Sequence, residues 1–214
     1  SSLSGASFNR VECFMVRWFC CRPFPVCRRD KKVLLPRFVG LVKQLHECRV
    51  NFAGSTPAQD VIGGYPLEGM VRLLPDGRIP PKAYELQELL RQCLGVFEPM
   101  VGCHNDLTPA NCIISDDEAA GAQLIDWEWA GVYDVLHDLS KLVLLCELDE
   151  ADEADVLNLY FGASLTDTHR CRMKLWFLHT ISREALWCYA KSCNPADDNY
   201  DYMKEGRMYA QKFA

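Results

Sequence analysis

Three polar residues near the middle of the chain have types and a spacing that suit proton transfer beside a metal ion. His104, Asp106 and Asn111 follow the pattern H-x-D-x-x-x-x-N. An aspartate carboxylate can accept the proton of an attacking hydroxyl group, and a following asparagine can direct its amide oxygen toward a metal. Asp and Asn also cap turns, which would explain a single H-x-D. The complete array favours a chemical role.

Two short apolar runs after Asn111 predict a β-hairpin that presents a second carboxylate. Residues 112–114 and 124–125 are apolar and flank the polar stretch 115–121, a pattern typical of two strands joined by a turn. The second run leads directly to Asp126. A carboxylate at that point is a hard oxygen ligand of the kind that Mg²⁺ prefers.

The two segments that carry these residues resemble the signature motifs of the choline/ethanolamine kinases. Residues 104–111 read HNDLTPAN, and residues 125–140 read IDWEWAGVYDVLHDLS. The first spacing is that of a kinase catalytic loop. The pair is most similar to the LicA-type bacterial choline kinases, within the aminoglycoside-phosphotransferase-like group of the protein-kinase-like superfamily. Fainter similarity covers most of the rest of the chain.

The resemblance implies an ATP-dependent phosphotransferase that phosphorylates the hydroxyl group of choline or a related amino alcohol, with ATP and Mg²⁺ as cofactors. In that family, Asp106 would be the catalytic base, and His104 would support the loop around it. Asn111 and Asp126 would bind Mg²⁺. Asp138 stands at the position of an aspartate that holds the loop, so its role would be structural.

The resemblance also implies a substrate-binding set, formed by Trp129, Glu128, Trp187 and Tyr202. Aromatic faces attract a quaternary ammonium group by cation–π interaction. Core packing is the alternative for Trp187 and Tyr202, because large aromatic residues on helices are usually buried. The chain departs from the eukaryotic choline kinases at Lys141, where those enzymes carry Asn.

Two other functions stay open. The first is a kinase of another small hydroxyl compound, of the aminoglycoside type, which would need an acidic rather than an aromatic acceptor pocket. The second is a non-catalytic kinase-like remnant that binds amino alcohols or a partner. The intact H-x-D-x-x-x-x-N motif with its following Asp argues against this second alternative.

Composition indicates one globular unit with no nucleic-acid surface. The chain has 214 residues, 49% hydrophobic, with a mean hydropathy of −0.10, enough to bury one sizeable core. Its net charge of −6, from 29 acidic and 23 basic residues, disfavours nucleic-acid binding, which needs a basic face. Twelve cysteines occur without a C-x-x-C pair, which favours buried thiols in a reducing compartment. No apolar run is long enough to span a membrane, so we expect a cytoplasmic protein.

Apolar periodicity predicts a mostly helical chain. We expect helices over residues 32–48, 81–97 and 139–148, a long helix that begins near residue 167 or 168, and a last helix from about residue 200. The partly alternating residues 11–19 predict a strand, which the resemblance assigns to the hinge between two kinase lobes. Only about ten residues precede that strand, too few for the lobe that grips the nucleotide phosphates in kinases.

The predicted fold class is therefore α+β: the mostly helical C-terminal lobe of a protein-kinase-like fold, with small β-hairpins and with the N-terminal lobe largely absent. We expect residues 1–30 to form a residual N-terminal segment, the hinge strand and a linker. Residues 31–214 would form the C-terminal lobe. Within it, the catalytic loop would be residues 103–111 and the metal-binding segment residues 124–138.

Overall fold

The computed structural model of the chain describes residues 28–48, 85, 88, 89, 92, 100–114, 122–193 and 200–213. Five helices and four strands have defined bounds within these ranges. The helices are α1 (Arg28–Glu47), α2 (Val135–Leu145), α3 (Glu150–Phe161), α4 (Asp167–Cys193) and α5 (Tyr202–Phe213). The strands are β1 (Met100–Cys103), β2 (Cys112–Ile114), β3 (Ala122–Leu124) and β4 (Gly131–Asp134). Two short 3-10 turns span Pro109–Asn111 and Gly162–Ser164.

The strands form two separate antiparallel pairs. β2 pairs with β3, with Cys112 opposite Leu124 and Ile114 opposite Ala122. β1 pairs with β4, with Met100 opposite Asp134 and Cys103 opposite Gly131. β1 therefore ends where residues 103–111, the HxD loop, begin. β4 begins at Gly131, just after residues 125–130, which follow β3. The HxD loop and the segment that contains Asp126 therefore both lie between β1 and β4 in the chain.

The main hydrophobic core lies where α1, α2, α3 and α4 meet the β1–β4 pair. Its buried members include Val42, Leu107, Leu136, Leu139, Leu142, Val156, Leu157, Met173 and Trp176. The helix α2 is the centre of this packing, since residues 136–144 are all buried. Four of those buried residues are polar: His137, Asp138, Ser140 and Lys141. Buried polar groups need partners, and these partners lie at the HxD loop, on α1 and on α4.

Local sequence signals explain where α2 and α3 begin. Asp134 is the N-cap of α2, and its side chain accepts a hydrogen bond from the amide of Leu136 at 3.0 Å. Asp149 and Asp152 form a capping box at the start of α3, which satisfies amides that the first helical turn leaves without partners. Because Asp134 is also the last residue of β4, the chain passes from strand to helix without a loop.

Most predicted elements are confirmed, with shifted ends. The β2–β3 hairpin forms, and the helix predicted over 32–48 runs from Arg28 to Glu47. The helix predicted over 139–148 begins four residues earlier, because the Asp134 cap starts it. The strand β4 was not predicted, since GVYD has no alternation that distinguishes it from a turn. The predicted strand 11–19 and most of the predicted helix 81–97 lie outside the described residues.

None of the helices in the described ranges is both long enough and apolar enough to cross a membrane.

Candidate active site

Asp138 fixes the start of the HxD loop to α2. Its carboxylate accepts hydrogen bonds from the backbone amides of His104 at 2.8 Å and Asn105 at 2.7 Å. The side chain of His46 on α1 lies 3.1 Å from the same carboxylate through Nε2, and its Nδ1 lies 2.7 Å from the Tyr160 hydroxyl. Asp138 is fully buried, so these partners offset the cost of removing its carboxylate from water.

Asn105 joins the loop to the segment after the hairpin. It adopts a left-handed backbone conformation, with φ of 65°, which Asn tolerates better than most residues. Its amide nitrogen donates to the Trp129 carbonyl at 2.9 Å, and its amide oxygen lies 3.0 Å from Nδ1 of His137. An amide oxygen can only accept, so Nδ1 of His137 carries the proton. Burial, followed by the charge of Arg183, lowers the pKa of His137 well below its usual range, and the ring stays neutral.

His104 uses both ring nitrogens inside the protein. Its Nδ1 accepts from the amide of Asp106 at 3.3 Å, and its Nε2 donates to the carbonyl of Ile125 at 2.9 Å. The ring is fully buried and lies 4.8 Å from the Trp127 ring, centre to centre. His104 therefore holds the residues on both sides of Asp126 and has no nitrogen left for a substrate.

Asp106 lies at the surface of this framework with both carboxylate oxygens engaged. Oδ2 accepts from the amide nitrogen of Asn111 at 2.9 Å, and Oδ1 accepts from the ammonium group of Lys141 at 2.9 Å. About a quarter of its side chain is exposed, at 25%. The carboxylate is therefore oriented by two donors but still accessible, as a group that meets a substrate hydroxyl must be.

Asn111 and Asp126 emerge at the same end of the β2–β3 hairpin. The amide of Ile125 donates to the carbonyl of Asn111 at 3.0 Å, which extends the β2–β3 ladder by one residue on each strand. The side-chain nitrogen of Asn111 is bound to Asp106, so its amide oxygen is the atom able to ligate a cation. Asp126 is exposed, with φ of 64°, and its carboxylate makes no ion pair or hydrogen bond with another described residue. This donor set fits Mg²⁺, which prefers oxygen ligands.

Lys141 is a buried cation between two carboxylates. Its ammonium nitrogen lies 2.9 Å from Asp106 and 3.0 Å from Oε1 of Glu184 on α4. Burial lowers the pKa of Lys141, but the neighbouring carboxylates of Glu184 and Asp106 outweigh burial, so the pKa lies above its usual value. Lys141 is therefore charged at neutral pH.

The aromatic residues of the predicted substrate set lie along two successive turns of α4. The Arg183 guanidinium lies over the Trp129 ring, 5.8 Å from its centre. One turn further along α4, the Trp187 ring lies 5.6 Å from the Tyr202 ring on α5. Trp129 and Trp187 are 43% and 37% exposed, which is too much for core residues. Glu128, the remaining member of the set, is exposed beside Trp129.

Sequence reasoning missed the residues that join α4 to the site. Asp134 accepts from Arg172 at 2.6 Å and from the Trp176 indole at 2.7 Å, which fixes the β4–α2 junction to α4. Glu184 and Arg183 reach Lys141 and Trp129 from the same helix. Their partners lie far away in the sequence, and no local spacing links them. The one signal in the sequence that could have singled out any of these residues was Asp134, an N-cap type of residue just before the apolar helix α2.

A buried group of three residues has the composition of a metal site but is better explained by hydrogen bonding. The ligand atoms of His46, Cys103 and Asp138 lie within 4.8 Å of one another. Burial, followed by the charges of Asp138 and Asp134, raises the pKa of the Cys103 thiol well above its usual value. A metal requires the thiolate, and Asp138 is already engaged with the HxD loop. We interpret this group as structural support.

The fold and the paired motifs define a kinase-like phosphotransferase family. The model of the phosphotransferase enzyme family, APH, matches residues 27–173, and the chain belongs to this family. The predicted family resemblance and the predicted kinase-like helical lobe are both confirmed.

The individual relatives include proteins named LicA, choline and ethanolamine kinases, and also a macrolide 2'-phosphotransferase. Protein LicA of Haemophilus influenzae Rd is 32% identical over an alignment that covers 38% of this chain and 35% of LicA. The structure of a choline/ethanolamine kinase family protein from Mesorhizobium loti superimposes with a TM-score of 0.69 at 16% identity. The superposition covers 86% of this chain and 61% of the Mesorhizobium loti chain. Choline kinase LicA from Streptococcus pneumoniae gives a TM-score of 0.63 at 18% identity, with 85% and 63% covered. The chain thus spans about six tenths of these solved relatives, and their likeness establishes the fold.

Proposed function

We propose that the protein transfers the γ-phosphoryl group of ATP to the hydroxyl group of an amino alcohol, such as choline or ethanolamine. The observation that carries this proposal is the environment of Asp106. Its partly exposed carboxylate is oriented by Asn111 and Lys141, on a loop whose backbone Asp138 holds. The phosphotransferase family and the LicA relative support the same reaction class.

Asp106 would act at the acceptor hydroxyl. The acceptor oxygen attacks the γ-phosphorus and forms the new O–P bond, while the bond from that phosphorus to the β–γ bridging oxygen breaks. The electron pair of that bond leaves with ADP, and the hydroxyl proton passes to the Asp106 carboxylate. Proton acceptance and orientation by a positioned carboxylate contribute on the order of 10²–10⁴-fold in rate.

Asn111 and Asp126 would hold Mg²⁺ through the asparagine amide oxygen and the exposed carboxylate. The ion, when bound, neutralises charge on the phosphate oxygens. His104 would act only by positioning, since it clamps the backbone at Ile125 and packs on Trp127.

The acceptor pocket would lie where Trp129 contacts Arg183 of α4, beside Glu184 and one turn before Trp187. Trp129 and Trp187 are partly exposed, with Arg183 and Lys191 lying over their rings. Aromatic faces attract a quaternary or primary ammonium group by on the order of 0.5–2 kcal/mol each. Glu128 would add a carboxylate near the same surface. An exposed aromatic set favours an amino alcohol over an aminoglycoside, whose several amines need mainly acidic partners.

The test is a coupled ADP-release assay of the full-length protein with ATP and Mg²⁺. The acceptors are choline, ethanolamine and an aminoglycoside. We expect turnover with an amino alcohol, and we expect Asp106→Asn and Asp106→Ala to lower kcat at least about 10²-fold. Asp155→Asn, an exposed substitution on α3, is the matched control and should leave kcat unchanged. Turnover only with the aminoglycoside, or near-wild-type kcat in Asp106→Ala, would refute the proposal.

A further inference from the structure

The strongest unassigned feature near the site is the ion triad, defined as Asp106, Lys141 and Glu184. Its members come from three separate elements: the HxD loop, α2 and α4. The Lys141 side chain is 5% exposed, against 15% for Glu184 and 25% for Asp106. The cation is thus the most buried member, and the carboxylate at Asp106 faces outward.

The burial of Lys141 needs a reason, because a long flexible ammonium side chain loses both hydration and conformational freedom when it is buried. Hydrophobic packing does not explain the burial of Lys141, since the neighbouring residues Leu139 and Leu142 already provide the apolar face of α2. What the ammonium group supplies is a donor to Oδ1 of Asp106, whereas Asn111 donates to Oδ2. Without Lys141, Oδ1 of Asp106 would lose its donor, and only Oδ2 would stay held by Asn111.

Glu184 has the complementary task of fixing the ammonium group. A lysine ammonium is a point charge with three rotatable donors, so a single carboxylate does not determine where it lies. With Asp106 on one side and Glu184 on the other, both within 3.0 Å, its place is defined. Arg183, the residue before Glu184 on α4, lies over Trp129, so the same helical turn also contacts the expected acceptor surface.

We propose that Lys141 is a positioning residue for the phosphoryl transfer, which holds the Asp106 carboxylate in the orientation that receives the acceptor hydroxyl, and that Glu184 anchors it. This inference rests on the proposed function. It adds a residue outside both sequence motifs to the machinery of the reaction, and it makes α4 responsible for the orientation of Asp106 as well as for acceptor contacts.

A double-mutant cycle distinguishes positioning from general structural support. If Lys141 acts through Asp106, Lys141→Met should lower kcat about 10²-fold in the wild-type background, with little change in the KM for ATP. In an Asp106→Asn background the same substitution should change kcat less than about three-fold, because the carboxylate it orients is already gone. Lys141→Arg should recover part of the loss. Lys174→Met, an exposed substitution on α4, is the matched control.

An equal loss in both backgrounds would overturn the proposal, since a merely structural lysine lowers the activity of any variant alike. Because Lys141→Met leaves two carboxylates without their shared cation, the double variant Lys141→Met/Glu184→Gln is made beside it. This double variant reduces the uncompensated charge and should fold. It should show the same loss of kcat as Lys141→Met.

Crystal structures of the full-length wild type and of the double variant test the inference without any turnover. We expect the Asp106 carboxylate of the variant to leave the position in which Oδ2 accepts from Asn111. An unchanged carboxylate would refute the role of Lys141 even if choline is phosphorylated. If the wild-type enzyme is instead inactive with amino alcohols while the carboxylate moves as expected, the proposed acceptor is wrong and the positioning role stands.

Discussion

Asp138 and Asp126 are both aspartates of the sequence motifs, yet they lie in opposite environments. Asp138 is fully buried and accepts two backbone amides of the HxD loop. Asp126 is exposed in a left-handed backbone conformation, and among the described residues its carboxylate has no partner. The fold thus supplies hydrogen-bond donors to the carboxylate of Asp138 and leaves the carboxylate of Asp126 accessible.

The contrast extends to the neighbours of each residue. We call the first group the support layer; it consists of Asp134, His137 and Asp138, all fully buried. We call the second group the rim; it consists of Asp126, Glu128, Trp129 and Trp187, all exposed. Each member of the support layer is hydrogen-bonded to another part of the lobe. The polar groups of the support layer bond within the chain, except that the buried Nε2 of His137 has no hydrogen-bond partner among the described residues. Groups that serve a ligand must instead stay accessible.

The largest expected effect comes from the support layer. Asp138→Ala should lower the free energy of unfolding by at least about 3 kcal/mol, because each buried donor left without an acceptor costs about 1–3 kcal/mol. The affected donors are the amides of His104 and Asn105 and the His46 ring. Chemical denaturation measures the change, and Asp155→Ala on the exposed face of α3 should stay within about 0.5 kcal/mol of the wild type. A stable Asp138→Ala protein would mean that the two regions do not differ as described.

Next in size is the loss of the carboxylate on the rim. Asp126→Ala should lower kcat by at least about 10²-fold through loss of a metal ligand. Its far-ultraviolet circular dichroism should stay at the wild-type shape, because the side chain makes no hydrogen bond or ion pair with another described residue. Its melting temperature should fall only slightly, since Ala tolerates the left-handed backbone at residue 126 less well than Asp. Steady-state kinetics over a range of Mg²⁺ concentrations give the measurement. Full activity of the variant at ordinary Mg²⁺ would remove Asp126 from the metal site.

The smallest effect separates ligand binding from packing within the rim. Trp187→Ala should raise the KM for choline about ten-fold, from the loss of a cation–π contact of about 1–2 kcal/mol, with the KM for ATP little changed. Trp187→Phe should recover part of the loss, because a smaller aromatic face remains.

Leu178→Ala is the control for this substitution, because Leu178 lies on the same helix with a similar exposed fraction, 36% against 37%. A large drop in stability of Trp187→Ala, with both KM values raised alike, would assign Trp187 to packing instead.

The sequence by itself determined the motif residues, the hairpin and most of the helices. The spacing of His104, Asp106 and Asn111 is local, and so is the apolar pattern that forms β2 and β3. The resemblance added an expected structural role for Asp138, whose carboxylate accepts hydrogen bonds from two loop amides. Substrate, metal and catalytic roles of the other residues stay predictions.

Only the tertiary structure decided which helix completes the site. Helical periodicity shows that α4 has an apolar face, but it does not say which helix that face meets or which polar residues meet across it. The contacts of Lys141 with Glu184, of Trp129 with Arg183 and of Asp134 with Arg172 all join α4 to segments distant in sequence. Such pairs follow from the packing of whole helices and strands, because side chains far apart in the chain become neighbours only when the elements that carry them are packed together.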